Sequence, residues 1–388
     1  MLKLITAGES HGPALNLIID GFPRGMRIDT EHLRNDLNQR QKGFGRSGRM
    51  KIESDECQIL SGIRQGLTSG NPVSLIVHNN DYPKWENATS PDRKNNVDKT
   101  IELTRPRPGH VDLAAAQKFL THDARDAVER ASARSSLPYA IAGNLTRQLL
   151  NLFGIDIVGY VKSIGTVEST TEILELPLLR KAVENSSLRC PDEYCTEQMQ
   201  EAIADARKNG NTLGGVIEIR TQNLCPGLGS FNQWEQKLDS QLAAAIVGIP
   251  GVKAVEFGKG FELAKNLGSK THDEINYSKT EKAFMRASNH AGGIEGGLSN
   301  GEEIWIKAAM KPIPTLGQPL TSVDLTTHEP AKANTMRGDT CAVPACSLIA
   351  EARVSWTLAN AFLRRFNGAT ITEIKDRYNT YLKRLKAL

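Results

Sequence analysis

The stretch from Asp112 to about Phe153 constrains the fold most, because it reads as helix over a length far beyond an ordinary strand. Ala124, Val128 and Ala131, then Ala142, Leu145, Leu149 and Leu152, keep the three- and four-residue spacing of one helical face. Pro138 falls inside this run and must kink or restart the helix. A final buried helix is expected from Pro344 to about Phe366, since proline is welcome at a first helical position. Asn232–Val247 reads as an amphipathic helix. Asp29 or Thr30 caps another to about Gln41, with Leu33, Leu37 and Arg40 on one face. Around these lie short β-type runs at 2–7, 15–21, 73–77, 216–219, 252–257 and 304–308, while polar residues 185–200 read as an exposed connection. The order lacks the regular strand–helix alternation of a parallel-sheet fold. No G-x-G-x-x-G follows a strand, and no phosphate-binding P-loop appears. An α+β fold in one continuous body is expected.

Bulk numbers narrow the class. A hydrophobic content of 39% and a charged content of 24% are those of a soluble globular chain. Only 5% of residues are aromatic and the net charge is +4, too little for a base-stacking platform or a broad basic face. No nucleic-acid partner is expected, and the positive charge is local. No window approaches the roughly 20 apolar residues that span a bilayer. The N-terminus turns polar at once, unlike a signal peptide. Six scattered cysteines form no disulfide pattern, and no ligand spacing suggests a metal. The chain reads as a reduced, cytoplasmic protein.

The local charge sits in short loops. Arg40, Arg46 and Arg49 fall in RQKGFGRSGRM, and Arg105 and Arg107 fall beside His110 in TRPRPGHVD, with few acids evident nearby. Guanidinium is always charged, and its planar fork matches carboxylate and phosphate. His11, in GESHGP, and His110 both sit among glycine and proline, where a ligand can approach closely. Alone, either is a solvent-exposed turn histidine; beside arginines, each can protonate or hydrogen-bond an anion. In ERASAR, Arg130 and Arg134 share a helical face, and Glu129 is expected to point elsewhere. The GGIEGG, KPIPT and RGD segments offer backbone donors, an ammonium, a hydroxyl and a carboxylate. Ordinary turn chemistry explains each of these singly.

Taken in order, GESHG, RQKGFGRSGRMKIE, TRPRPGH, ERASAR, VEFGKGF, GGIEGG, MKPIPT, SVDLTTHEP and RGD resemble chorismate synthase from the first strand to the last helix. The resemblance implies a single domain over 1–388, a β-α-β sandwich with a helical layer between antiparallel sheets, and a homotetramer. It implies a lyase that removes phosphate from 5-enolpyruvylshikimate 3-phosphate by 1,4-anti elimination, the last step of the shikimate pathway, using reduced FMN. His11, His110 and Asp339 match catalytic positions. Ser10, Arg40, Arg46, Arg49, Arg107, Arg134 and Arg337 match substrate contacts. Arg130, Ala131, Ser132, Pro250, Gly251, Gly296, Lys311, Pro312, Ile313, Pro314, Thr315 and Arg337 match flavin contacts, and Arg40 and Arg46 match NADPH contacts. NADPH or an external reductase supplies the flavin's electrons. The chain departs from the family pattern at Ala131, where serine is common, at Ser135 and at Pro138. A flavin-free phosphohydrolase and a polyanion-binding protein are the competing readings.

Overall fold

Lys3–Ala7 and Ala14–Asp20 form an antiparallel pair that brackets the first histidine loop. In this computed structural model, residues 1–41, 44–45, 56–92, 101–170, 175–336 and 338–388 are described. Val73–His78 joins the far side of Ala14–Asp20, and Cys57–Ser61 completes a four-stranded antiparallel sheet. Val73, Leu75 and Val77 are buried and their neighbours are less so, as period-two alternation requires. A second sheet has the order Val252–Phe257, Trp305–Met310, Gly215–Gln222, Asp156–Ile164, Val167–Glu168, again antiparallel throughout. The fold is α+β.

Helices Leu137–Asn151 and Val343–Arg365 pack along one another. The first also touches strand Ala14–Asp20; the second touches Asp156–Ile164 and Gly215–Gln222. One apolar cluster runs through all of them, from Leu2 to Tyr378. Gly143 sets the distance between the two helices. A Cβ there would lie 2.2 Å from the Ala352 Cβ and 2.4 Å from its Cα. Gly143→Ala is therefore expected to cost about 1–3 kcal/mol through overpacking. An unshifted urea midpoint would show that the helix pair yields instead.

The helical run after Asp112 is broken more often than its periodicity suggests. It forms Asp112–Phe119, Arg125–Ala131, a 3₁₀ turn at Ala133–Ser136, and Leu137–Asn151. Pro138 restarts the helix without kinking it: it lies in the first turn, where an N–H has no intrahelical partner anyway.

Three expectations are corrected. Residues 185–200 are not an exposed connection: Glu193–Lys208 is a helix whose Asp192 side chain accepts from the Cys195 N–H at 3.0 Å. Its buried face is Cys195, Met199 and Ile203, a four-residue spacing hidden by the polar residues between. The helix expected from Asn232 begins only at Leu238, after a 3₁₀ turn and extended Lys237. Val343–Arg365 is not the last helix, because Ile371–Leu385 follows, capped by Thr370 and buried through Ile371, Ile374 and Tyr378. No helix among the described residues is long and apolar enough to cross a membrane.

Candidate active site

The loop after Lys3–Ala7 lies against helix Arg125–Ala131. The Ser10 N–H donates to the Glu129 carbonyl at 3.1 Å, and the His11 N–H donates to Glu129 Oε2 at 2.8 Å. His11 Nδ1 lies 2.8 Å from Oε1 of the same carboxylate. Glu129 is 3% exposed. Burial raises its pKa, but the hydrogen bonds from His11, with Arg125 nearby, more than offset that and hold it below the usual carboxylate range. An ionised carboxylate only accepts, so it fixes the His11 proton on Nδ1 and leaves Nε2 outside the pair. The other side of the ring packs on Trp85, with centroids 3.9 Å apart and planes tilted by 34°.

The second histidine is organised the same way. Asp112 opens helix Asp112–Phe119, a favourable place for negative charge. Its carboxylate contacts His110 Nδ1 and accepts from Arg107 Nε at 2.8 Å and Nη2 at 3.1 Å. Burial raises the Asp112 pKa, yet these bonds drive it far below the usual range. Arg107 Nη1 also donates to Thr315 Oγ1 at 3.0 Å, and Lys311 Nζ donates to the Gly109 carbonyl. The TRPRPGH and KPIPT segments are thus cross-linked by charge-assisted hydrogen bonds.

Both histidines line one cavity of about 570 Å³, within the range of small-molecule sites. Ser10, Arg40, Arg107, Ala131, Ser132, Arg134, Pro250, Gly251, Lys311, Pro312, Ile313, Pro314, Thr315 and Asp339 line it too. Arg40, at the end of helix Thr30–Gln41, donates to the Ala133 carbonyl and to Ser136 Oγ, each at 3.3 Å. Ser10 Oγ donates to Ser132 Oγ at 3.0 Å. Gly338 packs against Thr315, which brings Asp339 beside the KPIPT segment. Val247, Ile249, Val252, Met310 and Met336 supply an apolar wall.

Two positions matched to flavin contacts do not line this cavity. The Arg130 guanidinium donates to the Thr6 hydroxyl at 2.7 Å and to the Gly8 carbonyl at 3.1 Å, so it braces the strand before the histidine loop. Gly296 is not among the cavity-lining residues. With Gly297 it makes the two-residue turn of the hairpin Ile294–Ser299, where both residues have positive φ. That turn type demands glycine on conformational grounds alone. Arg46, Arg49 and Arg337 lie outside the described residues.

The two carboxylates are not evident in the sequence. Glu129 is expected there to point away and the arginine loops read as short of acids, whereas Asp112 neutralises Arg107 directly. Asp112 stands two residues after His110, and that proximity is the available signal. Glu129 gives none, because its partner is 118 residues away.

The chain is similar to known proteins over its whole length. Residues 2–363 match the family model described as chorismate synthase. The chain belongs to the chorismate synthase family. Chorismate synthases of Geotalea uraniireducens and Geobacter sulfurreducens are each 46% identical to it over 393 aligned residues, covering all of both chains. A solved structure titled as the crystal structure of chorismate synthase superposes with a TM-score of 0.80 at 32% identity, over 100% of this chain and 99% of that one. Chorismate synthases are carbon–oxygen lyases of aromatic amino-acid biosynthesis.

Proposed function

We propose that the cavity binds 5-enolpyruvylshikimate 3-phosphate against reduced FMN and eliminates phosphate to give chorismate. The observation that carries this reading is one cavity shared by His11, His110, Asp339, Arg40 and Arg134, lined by apolar as well as polar side chains. That donor set suits a flavin: apolar side chains for a flat ring, with Ser132, Lys311 and Thr315 for its polar atoms. The backbone of Ala131 and Ser132, Pro250 and Gly251, and Lys311 to Thr315 would hold it. Arg130, Gly296 and Arg337 belong to the same family pattern. Reduced FMN supplies, when bound, electron density for cleaving bonds that acid–base groups alone activate only about 10²–10⁴-fold. Ser10, Arg40, Arg46, Arg49, Arg134 and Arg337 bind the substrate's carboxylates and phosphate, and Arg107 chiefly organises His110 and Thr315. His11 gives a proton to the departing phosphate, His110 hydrogen-bonds the flavin, and Asp339 assists removal of the substrate hydrogen.

We read the architecture as a single domain over 1–388, a β-α-β sandwich with helices between two antiparallel sheets. The continuous core from Leu2 to Tyr378 supports this. By family resemblance the protein is a cytoplasmic homotetramer acting on a small anion, with neither nucleic acid nor membrane as partner.

The deciding experiment is anaerobic turnover with dithionite-reduced FMN, repeated with NADPH as sole reductant. Chorismate is expected with reduced FMN and not with oxidised FMN. Free phosphate without chorismate would establish a hydrolase and overturn the reading. Chorismate in the NADPH arm assigns flavin reduction to this protein, where Arg40 and Arg46 are the proposed NADPH contacts; its absence assigns that step to an external reductase. Asp339→Asn keeps the shape and removes the charge, so turnover is expected to fall on the order of 10²-fold with KM little changed. Full turnover in this variant would exclude the proposed role.

A further inference from the structure

We propose that Glu129 and Trp85 form a two-sided clamp that positions His11. The inference rests on the reading of His11 as the proton donor to phosphate. Neither residue lines the cavity, so both act through His11.

Glu129 takes one edge of the imidazole, and Trp85 lies under its face. The carboxylate also receives the His11 backbone N–H, so loop and ring are fixed by the same group. Trp85 is itself held: its Nε1–H donates to Asp81 Oδ2 at 3.3 Å. The Asp81 N–H donates to Asn79 Oδ1 at 3.2 Å, and Asn79 Nδ2 donates to the Gly12 carbonyl at 2.8 Å. The support therefore returns to the histidine loop by a second route.

The surrounding charges are mixed. Arg125 lies 3.4 Å from Glu129 and 5.6 Å from the Trp85 ring. Arg40, Arg107, Arg134, Lys253 and Lys311 line the cavity with Asp339, while Glu9 lies in the same loop and Asp81 behind Trp85. Glu129 and Trp85 both contact the ring directly.

The test uses the full-length protein without flavin, then the loaded enzyme. Imidazolium quenches indole emission, so the emission of Trp85, isolated as wild type minus Trp85→Phe among four tryptophans, should change with pH. That transition should vanish in His11→Ala. Its amplitude should fall in Glu129→Gln, where the ring is no longer held against the indole. In the loaded enzyme, Glu129→Gln should lower kcat roughly 10–10³-fold with substrate KM within a few fold. Trp85→Leu should lower kcat as well, and Trp85→Phe should restore most of it. A pH-independent Trp85 signal, or full kcat in Glu129→Gln, would overturn the clamp. Wild-type protein that makes no chorismate with reduced FMN would instead overturn the functional reading, and the fluorescence measurements would still decide the clamp.

Discussion

Glu351→Ala is expected to destabilise the protein by about 3–5 kcal/mol, a large part of the roughly 5–15 kcal/mol that holds a typical fold. Glu351 is 2% exposed on the central helix Val343–Arg365. It accepts from Arg147 on the neighbouring helix, from Arg189 at 2.9 Å, and from the Gly159 N–H at 3.0 Å in the second sheet. Arg180 lies 3.9 Å away. Asp36 pairs with Arg147 at 2.6 Å, and Asp156 pairs with Arg180 at 2.6 Å. Three arginines thus face these three acids, with the exposed Glu184 3.7 Å from Arg180 as a fourth. Removing Glu351 leaves one buried cation uncompensated and orphans a strand N–H. Burial already disfavours the charge on Arg189. Glu351→Gln keeps an acceptor for Gly159 and should cost visibly less. Urea unfolding of the two variants measures the difference, and equal midpoints would show that the charge contributes nothing.

Asp112→Asn is expected to reduce turnover on the order of 10²–10³-fold and to flatten the acid side of the stability curve. The amide offers Arg107 one acceptor in place of two and no longer compels a proton on His110 Nδ1. The folded-state pKa of Asp112 is depressed, with burial opposing and His110 and Arg107 outweighing it. Its contribution is therefore fully present above the unfolded carboxylate value of about 4 and is lost as pH falls towards the lower folded value. Wild type should lose stability over that interval faster than Asp112→Asn. Parallel curves in acid denaturation would mean that the carboxylate is no better stabilised here than in the unfolded chain.

Much of the fold and of this site is legible in the chain itself. The strand at 73–78 follows from alternation of apolar residues, those at 3–7 and 252–257 from short β-type runs, and helix Thr30–Gln41 from Leu33, Leu37 and Arg40 on one face. The histidines and the Asp339 segment stand in turn-rich, cationic company that ordinary surface loops lack. Helix Glu193–Lys208 is hidden because its buried stripe is interleaved with charge. The turn role of Gly296 is invisible because two glycines serve a hairpin and a ligand equally well.

Local sequence determined the types of group present: where chain turns put arginine and histidine, and which stretches could be strand or helix, since both depend on neighbours a few residues apart. Only the tertiary structure decided which charges meet. His11 finds Glu129 across 118 residues, and Arg147 finds Glu351 across 204. Such pairing depends on distance through space, which chain order does not encode. It is also what converts a turn histidine into one whose proton sits on a chosen nitrogen.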